Sequence, residues 1–281
     1  MLELAQGLND AALEAIADLE RRVVAADGGR LKLEWGTLRT RPADAVRDVL
    51  FWEEGRLVGF LGIYGFNWPW LEVTGMVDPD ARRRGIARAL FDAALPICRA
   101  AGKDRLLLVV PRVSPGGRPF AASLGMNPHH SEHALRLRTR PASAADPALA
   151  LRTATTDDIP ALSRLYQDGF GDGGEVDPSR LMSERSRTLI IERDGETAGT
   201  VAVTAEGPRA AVYGFVVDAD LRGRGIGRDI LARVCRDALD HGAEYVDLEV
   251  EVANDHALGL YTSTGFEPVS TEDYYELKLP G

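Results

Sequence analysis

"VVDADLRGRGIGRDILARV", Val216–Val234, passes from an apolar run through a loop dense in arginine and glycine into a helical pattern. Gly223, Gly225 and Gly227 stand where that helix begins. Glycine admits positive φ and lets a ligand approach the main chain closely. A helix N-terminus carries unpaired N–H donors and partial positive charge, so strand, glycine loop and helix together form an anion cradle. Pyrophosphate is the natural guest, and a tight turn with solvated arginines is the plainer alternative. The Gly-Lys-Ser/Thr ending of a P-loop is absent, and the loop follows a later strand than a dinucleotide fold requires. Beyond it, Ile226, Ile230, Leu231, Val234, Cys235 and Ala238 fall on one helical face.

The same pattern occurs earlier in the chain. "VDPDARRRGIARALFDAAL" begins at Val77 and "VDADLRGRGIGRDILARVC" at Val217, an offset of 140 residues that recurs between Gly85 and Gly225 and between Gly125 and Gly265. The chain therefore reads as two copies of one unit. A Pro/Ala-rich stretch at 138–150 separates them.

In the second copy, "LALRT" reads as a strand and "TTDDIPALSRLYQDGF" as a helix with a Thr/Asp cap and a proline in its first turn. "TLIIERDGETAGTVAVTAE" reads as two strands joined at Asp194-Gly195, a hairpin signal. In "EYVDLEVEV", Val246, Leu248, Val250 and Val252 alternate with Asp247, Glu249 and Glu251, and a short helix and a last strand, "YYELKL", follow. The first copy repeats this order, with "DVLFWEEGRLVGFLGIYGF" as the hairpin and "DRLLLVV" as the counterpart of the alternating strand. Each copy is thus α/β, a mixed sheet with helices on both faces.

No apolar run is long enough to span a membrane, and the N-terminus lacks the basic and apolar regions of a signal peptide. Cys98 and Cys235 both lie in apolar helical patterns, so they are expected as buried free thiols in a cytoplasmic protein. The net charge of −10 is uneven: residues 1–150 hold 20 Lys+Arg against 18 Asp+Glu, and residues 151–281 hold 13 against 25. An acidic second half disfavours nucleic acid and suits a cationic ligand such as an amine.

Arg222-x-x-Gly225-x-Gly227 after "FVVDAD" resembles the acyl-CoA pyrophosphate loop of the GNAT superfamily of N-acyltransferases. "VDLEVEVANDHALGLYTSTGF" is similar to that family's alternating strand, its Asn, its Ala-x-x-Leu-Tyr helix and its Gly-Phe ending. The resemblance implies two tandem GNAT-like domains, each a mixed, mostly antiparallel sheet flanked by helices. They are placed at 1–140, noncatalytic, and 151–281, catalytic, with a linker at 141–150. The layout is similar to that of mycothiol synthase and other tandem members, in which one half does the chemistry.

It further implies acetyl-CoA as cosubstrate, with the backbone around Val217 pairing the pantetheine arm. Arg222 and the N–H groups of Gly223, Arg224, Gly225, Ile226, Gly227 and Arg228 would receive the pyrophosphate. Asn254 would hold the cofactor near its reacting end, cap a helix, or do both. Tyr261 corresponds to the tyrosine that protonates the departing thiolate; without the family it reads as a half-buried aromatic. Glu249 takes the place of a base, with water or Tyr213 as alternatives, and with a solvated face shared by Asp247 and Glu251 as the plainer reading. The expected reaction is direct attack by a primary amine in a ternary complex, the acceptor a small molecule rather than a protein, and Cys235 an ordinary core residue. A noncatalytic acyl-CoA sensor or scaffold is the rival, and a domain binding ATP or NAD is a third reading. The acceptor, the acyl-chain preference and the oligomeric state stay open.

The first copy departs from the pattern. Arg82-x-x-Gly85-x-Ala87 still fits the cofactor loop, but Ser114 replaces Asn254 and Ala121 replaces Tyr261. Trp68 and Trp70 read as core or interface. His129, His130 and His133 read as solvated, and no metal site is expected.

Overall fold

Asp194 and Gly195 both adopt left-handed φ, 52° and 87°. That is the backbone a two-residue hairpin turn needs to match the twist of its strands. They join Ser186–Arg193 to Glu196–Glu206 in the computed structural model, which describes residues 1–142, 146–171, 176, 181–183 and 186–279. Part of the expected linker, 143–145, lies outside the described residues.

The chain forms two compact units, Met1–Glu132 with Ser270–Gly281, and His133–Val269. The first contains β1 (Leu2–Ala5), α1 (Asp10–Asp27), α2 (Trp35–Thr40), β2 (Asp48–Glu53), β3 (Arg56–Tyr64), β4 (Leu71–Val77), α3 (Ile86–Ala100), β5 (Arg105–Pro111), α4 (Gly117–Ser123) and the start of β6 (Asn127–Leu137). The second contains the end of β6, then β7 (Leu149–Thr153), α5 (Ile159–Phe170), β8 (Met182–Ser183), β9 (Ser186–Arg193), β10 (Glu196–Glu206), β11 (Arg209–Val217), α6 (Ile226–Asp240), β12 (Tyr245–Glu251), α7 (Asp255–Ser263) and the start of β13 (Phe266–Lys278).

The strand order is β1-β2-β3-β4-β5 in the first unit and β12-β11-β10-β9-β7 in the second. Both are antiparallel except for the β4–β5 and β11–β12 pairs, which are parallel. The units do not follow the boundaries of the repeat. Glu272–Lys278 of β13 pairs antiparallel with β5 and closes the first sheet, while the end of β6 lies beside β12 and closes the second. The closing strand of each copy thus completes the other copy's sheet.

The helix after the arginine–glycine loop is α6, and all six apolar residues on its expected face are buried. They pack with Ala210, Val212, Val246, Leu248 and Val250 of the sheet. Burying a side chain such as Ile230 or Leu231 stabilises by about 1.5–3 kcal/mol. Thr155 and Asp158 form a capping box ahead of α5, with Ile159-Pro160 opening the helix.

β12 alternates as expected, but its outer face is not a solvated row. Asp247 is buried, accepting from Arg136 Nε and Nη2 at 2.7 and 2.9 Å and from Arg209 Nε at 3.2 Å. Two guanidiniums compensate the charge where water does not reach, as a buried carboxylate requires. Asp247→Ala leaves both half-exposed arginines without that partner, and we expect a loss of about 2 kcal/mol, below the range for fully buried pairs. Urea denaturation would read it as a lower midpoint. The imidazole of His130 is likewise not simply solvated: it stacks on Tyr274 at 4.1 Å between ring centroids, within the first unit.

Candidate cofactor and active site

β11 and β12 pair from Arg209–Tyr245 to Val212–Leu248. Both strands run on, to Val217 and Glu251, without further pairing to each other, so they part and leave a gap between them. At the base of the gap β11 carries a bulge: Ala202 pairs with Tyr213 and Thr200 with Val216, leaving Gly214 and Phe215 opposite Val201 alone. A bulge frees backbone groups from the ladder and re-aims its side chains. In the first unit β4 and β5 also part, after Thr74–Val109, but the β3–β4 register is unbroken from Tyr64–Glu72 to Gly59–Val77. Sequence reasoning missed the bulge; Gly214, inside an otherwise continuous strand pattern, was its one signal.

The loop after β11 begins with a short 3-10 turn, Ala219–Leu221, capped by Asp218. Arg164 donates to Asp218 at 2.8 Å, and that hydrogen bond holds its carboxyl below the usual carboxylate range. Arg222 Nε then donates to the Val217 carbonyl at 2.9 Å, tying the loop to the strand end. Gly223 and Gly225 take φ of 76° and 82°, and Gly225 directly precedes Ile226, the first residue of α6. Gly227 lies in the first helical turn, where a Cβ would stand 3.2 Å from Leu260. Arg224 donates to the Asp220 carbonyl at 3.1 Å and Arg228 to Ser263 Oγ at 3.5 Å. Among the described residues no carboxylate pairs with Arg222, Arg224 or Arg228.

The first copy reproduces this backbone. Arg82 Nε reaches the Val77 carbonyl at 3.2 Å, Gly85 takes φ 84°, and Arg83 takes φ 62° where the second copy has Gly223. Ala87 occupies the position of Gly227 within α3. The side chains differ. Both terminal nitrogens of Arg82 bind Asp27 at 2.8 Å, Arg84 binds Glu53 at 3.0 and 2.7 Å, and Arg88 binds Asp92 at 2.8 Å. The arginines that border an open loop in one copy are held by the chain's own carboxylates in the other.

Asn254 is the N-cap of α7, accepting from Ala257 N at 3.0 Å. Tyr261 lies on α7 with its ring edge-on to Phe266 at 6.2 Å, and burial pushes its phenol up to about 12. Its counterpart Ala121 is a buried methyl on α4. Glu249 is half-buried on β12, just past the last β11–β12 pair. Tyr213 follows the last paired residue of β11, Val212, and its hydroxyl hydrogen-bonds Ser186 Oγ.

Cys98 and Cys235 are free and fully buried, and burial pushes both thiols up to about 12. A nucleophilic thiolate needs the opposite shift. Ellman's reagent should therefore titrate no thiol in the native protein and two in denaturant. Among the described residues no group of His, Cys, Asp and Glu suits a metal ion, and no helix is long and apolar enough to cross a membrane.

The profile of the acetyltransferase (GNAT) family matches residues 12–126 and again 159–266. The chain belongs to the GNAT acetyltransferase family. Both halves are GNAT domains, so the protein is a tandem member and an acyltransferase of that class. It is 32% identical over 230 residues to a mycothiol acetyltransferase of Clavibacter michiganensis subsp. michiganensis, covering 73% of this chain and 72% of the relative. A mycothiol acetyltransferase of Kytococcus sedentarius is 28% identical over 284 residues, with 93% of each covered. A tandem GNAT protein from the clavulanic acid biosynthesis pathway superposes with a TM-score of 0.72 at 24% identity, covering 100% and 99%. A GCN5-related N-acetyltransferase from Sphaerobacter thermophilus gives 0.82 at 19% identity, covering 100% and 96%. These two structures bear on the GNAT fold alone.

Proposed function

We propose that the second copy, residues 151–281, transfers the acetyl group of acetyl-CoA to a primary amine by direct attack in a ternary complex. The observation that carries this is the contrast between the loops. Arg222, Arg224 and Arg228 border a helix N-terminus and form no ion pair among the described residues, whereas Arg82, Arg84 and Arg88 are paired with Asp27, Glu53 and Asp92. An anion meets donors and positive charge in the second copy and competing carboxylates in the first.

On this reading the N–H groups from Gly223 to Arg228 take the pyrophosphate, and the strand end at Val217 takes the pantetheine arm along the gap. Asn254 keeps its cap and borders the thioester end. An ammonium has no lone pair, so Glu249 accepts a proton from the acceptor nitrogen, directly or through water. The amine then attacks the thioester carbon, the C–S bond breaks, and the nitrogen's second proton passes to the departing thiolate, directly or through water, so that the products are the acetamide and CoA. Tyr261 donates to the departing sulfur. Burial pushes the phenol up to about 12, so it holds its proton until negative charge develops on the sulfur. Its contribution is therefore a hydrogen bond to developing thiolate charge, not early protonation. The first copy has a methyl, Ala121, in that place and does no chemistry.

The names of the relatives support a small-molecule acceptor over a protein one. Two buried free thiols suit a cytoplasmic setting. Calorimetric titration with acetyl-CoA tests the assignment: one site per chain is expected, two would return the first loop to cofactor binding, and none would overturn the reading.

A further inference from the structure

Large aromatics gather on the face of the second sheet opposite α6. Ala210, Val212 and Leu248 pack with α6, so alternation puts Tyr213 and Glu249 on the other face, where α5 lies. The bulge carries Gly214 to that face too: a Cβ there would fall 3.1 Å from the hydroxyl of Tyr166 on α5. One turn on, Phe170 packs against Tyr166 with ring centroids 5.9 Å apart. Phe170 is 56% exposed and Tyr213 42% exposed, and both rank among the few exposed large hydrophobic residues of those described. Tyr213 is also pinned, its hydroxyl bonded to Ser186 on β9. At the base of the gap in the sheet, Tyr213 and Phe170 leave ring surface in water that a bound ring would cover. Glu249, one residue past the last β11–β12 pair, shares that face and lies in the half of the sequence that is rich in acid.

We propose that the acceptor is a primary amine carried on a flat apolar or aromatic body, seated against Tyr213 and Phe170 with its nitrogen toward Glu249. This rests on the acetyl transfer proposed for the second copy and narrows its substrate class. Tyr213 is then the specificity-determining residue, and Ser186 positions it. An extended polyamine would leave both rings in water and gain only the carboxylate.

The test compares phenethylamine and tyramine with spermidine, measuring N-acetylated product by mass spectrometry under saturating acetyl-CoA. We expect kcat/KM at least tenfold higher for the aromatic amines, and KM for phenethylamine raised about tenfold in Tyr213→Ser, in line with the loss of one aromatic contact. Ser186→Ala should shift it in the same direction by less, and Tyr213→Phe should keep most of the wild-type value, because the ring remains. The KM for acetyl-CoA should not move in any of them. Equal or better use of spermidine, or an unchanged phenethylamine KM in Tyr213→Ser, overturns the proposal. So does a change of sedimentation behaviour in Tyr213→Ser without a change in KM, which would assign the patch to self-association. Calorimetry with acetyl-CoA separates the two levels: no binding overturns the transfer reading and this one together, while normal binding without aromatic preference overturns this one alone.

Discussion

Tyr261→Phe is expected to keep the affinity for acetyl-CoA and to lower kcat at least tenfold, and by as much as about 10³-fold. The ring belongs to the core of the second unit and packs edge-on against Phe266, so the variant loses an oxygen and no apolar contact. The Michaelis complex contains a neutral thioester sulfur, and negative charge reaches it only as the C–S bond breaks. A donor aimed there acts on the transition state alone, which lowers kcat and leaves binding unchanged. The pH profile makes the test sharper. With its phenol pushed up to about 12, Tyr261 stays protonated through the whole working range, so Tyr261→Phe should lower the profile without changing its shape. A profile that lost its alkaline limb in the variant would mean that Tyr261 titrates during turnover, and unchanged turnover would remove it from the mechanism.

Much of the fold is written in local chemistry and was legible for that reason. The turn at Asp194-Gly195, the capping box at Thr155 and Asp158, and the buried face of α6 each depend on residues close together in sequence. The features that escaped depend on what a strand lies beside. β13 reads as a short terminal strand of the second copy, yet it begins at Phe266 and its second half pairs with β5. No pattern inside "YYELKL" specifies its neighbour. Asp247 presents the same difficulty: its place in an alternating strand puts it on the outer face, and only Arg136 and Arg209, each at least 38 residues away, make that face a buried ion pair. In the site, the cradle was readable because glycines and a helix start are consecutive. The pairing of Arg82 with Asp27 and of Arg84 with Glu53 was not, because the partners come from α1 and the β2–β3 hairpin. The two loops are similar as strings and differ in what holds their arginines.

That difference predicts an asymmetric response to one substitution made twice. Gly225→Val should lower acetyl-CoA affinity by about 100-fold or more, and Gly85→Val should leave it unchanged. Both glycines adopt nearly the same backbone, φ 82° and 84°, and a Cβ at either would meet nothing within 4 Å. The Cβ thus meets no obstacle in either variant. A β-branched residue in the left-handed region costs about 1–2 kcal/mol, more when bulky, and the loop relieves it by rotating the peptide that starts the helix. Rotation turns the first N–H groups of α6 away from a pyrophosphate that depends on their convergence. The folding cost should be similar at both sites, so the two proteins should melt at similar temperatures, and any difference in affinity belongs to the ligand. If Gly85→Val instead abolishes binding while Gly225→Val does not, the cofactor belongs to the first copy, and Asp27 and Glu53 release their arginines when it arrives. Equal losses at both would mean two cradles, and the ion pairs of the first would then be a gate that the cofactor opens.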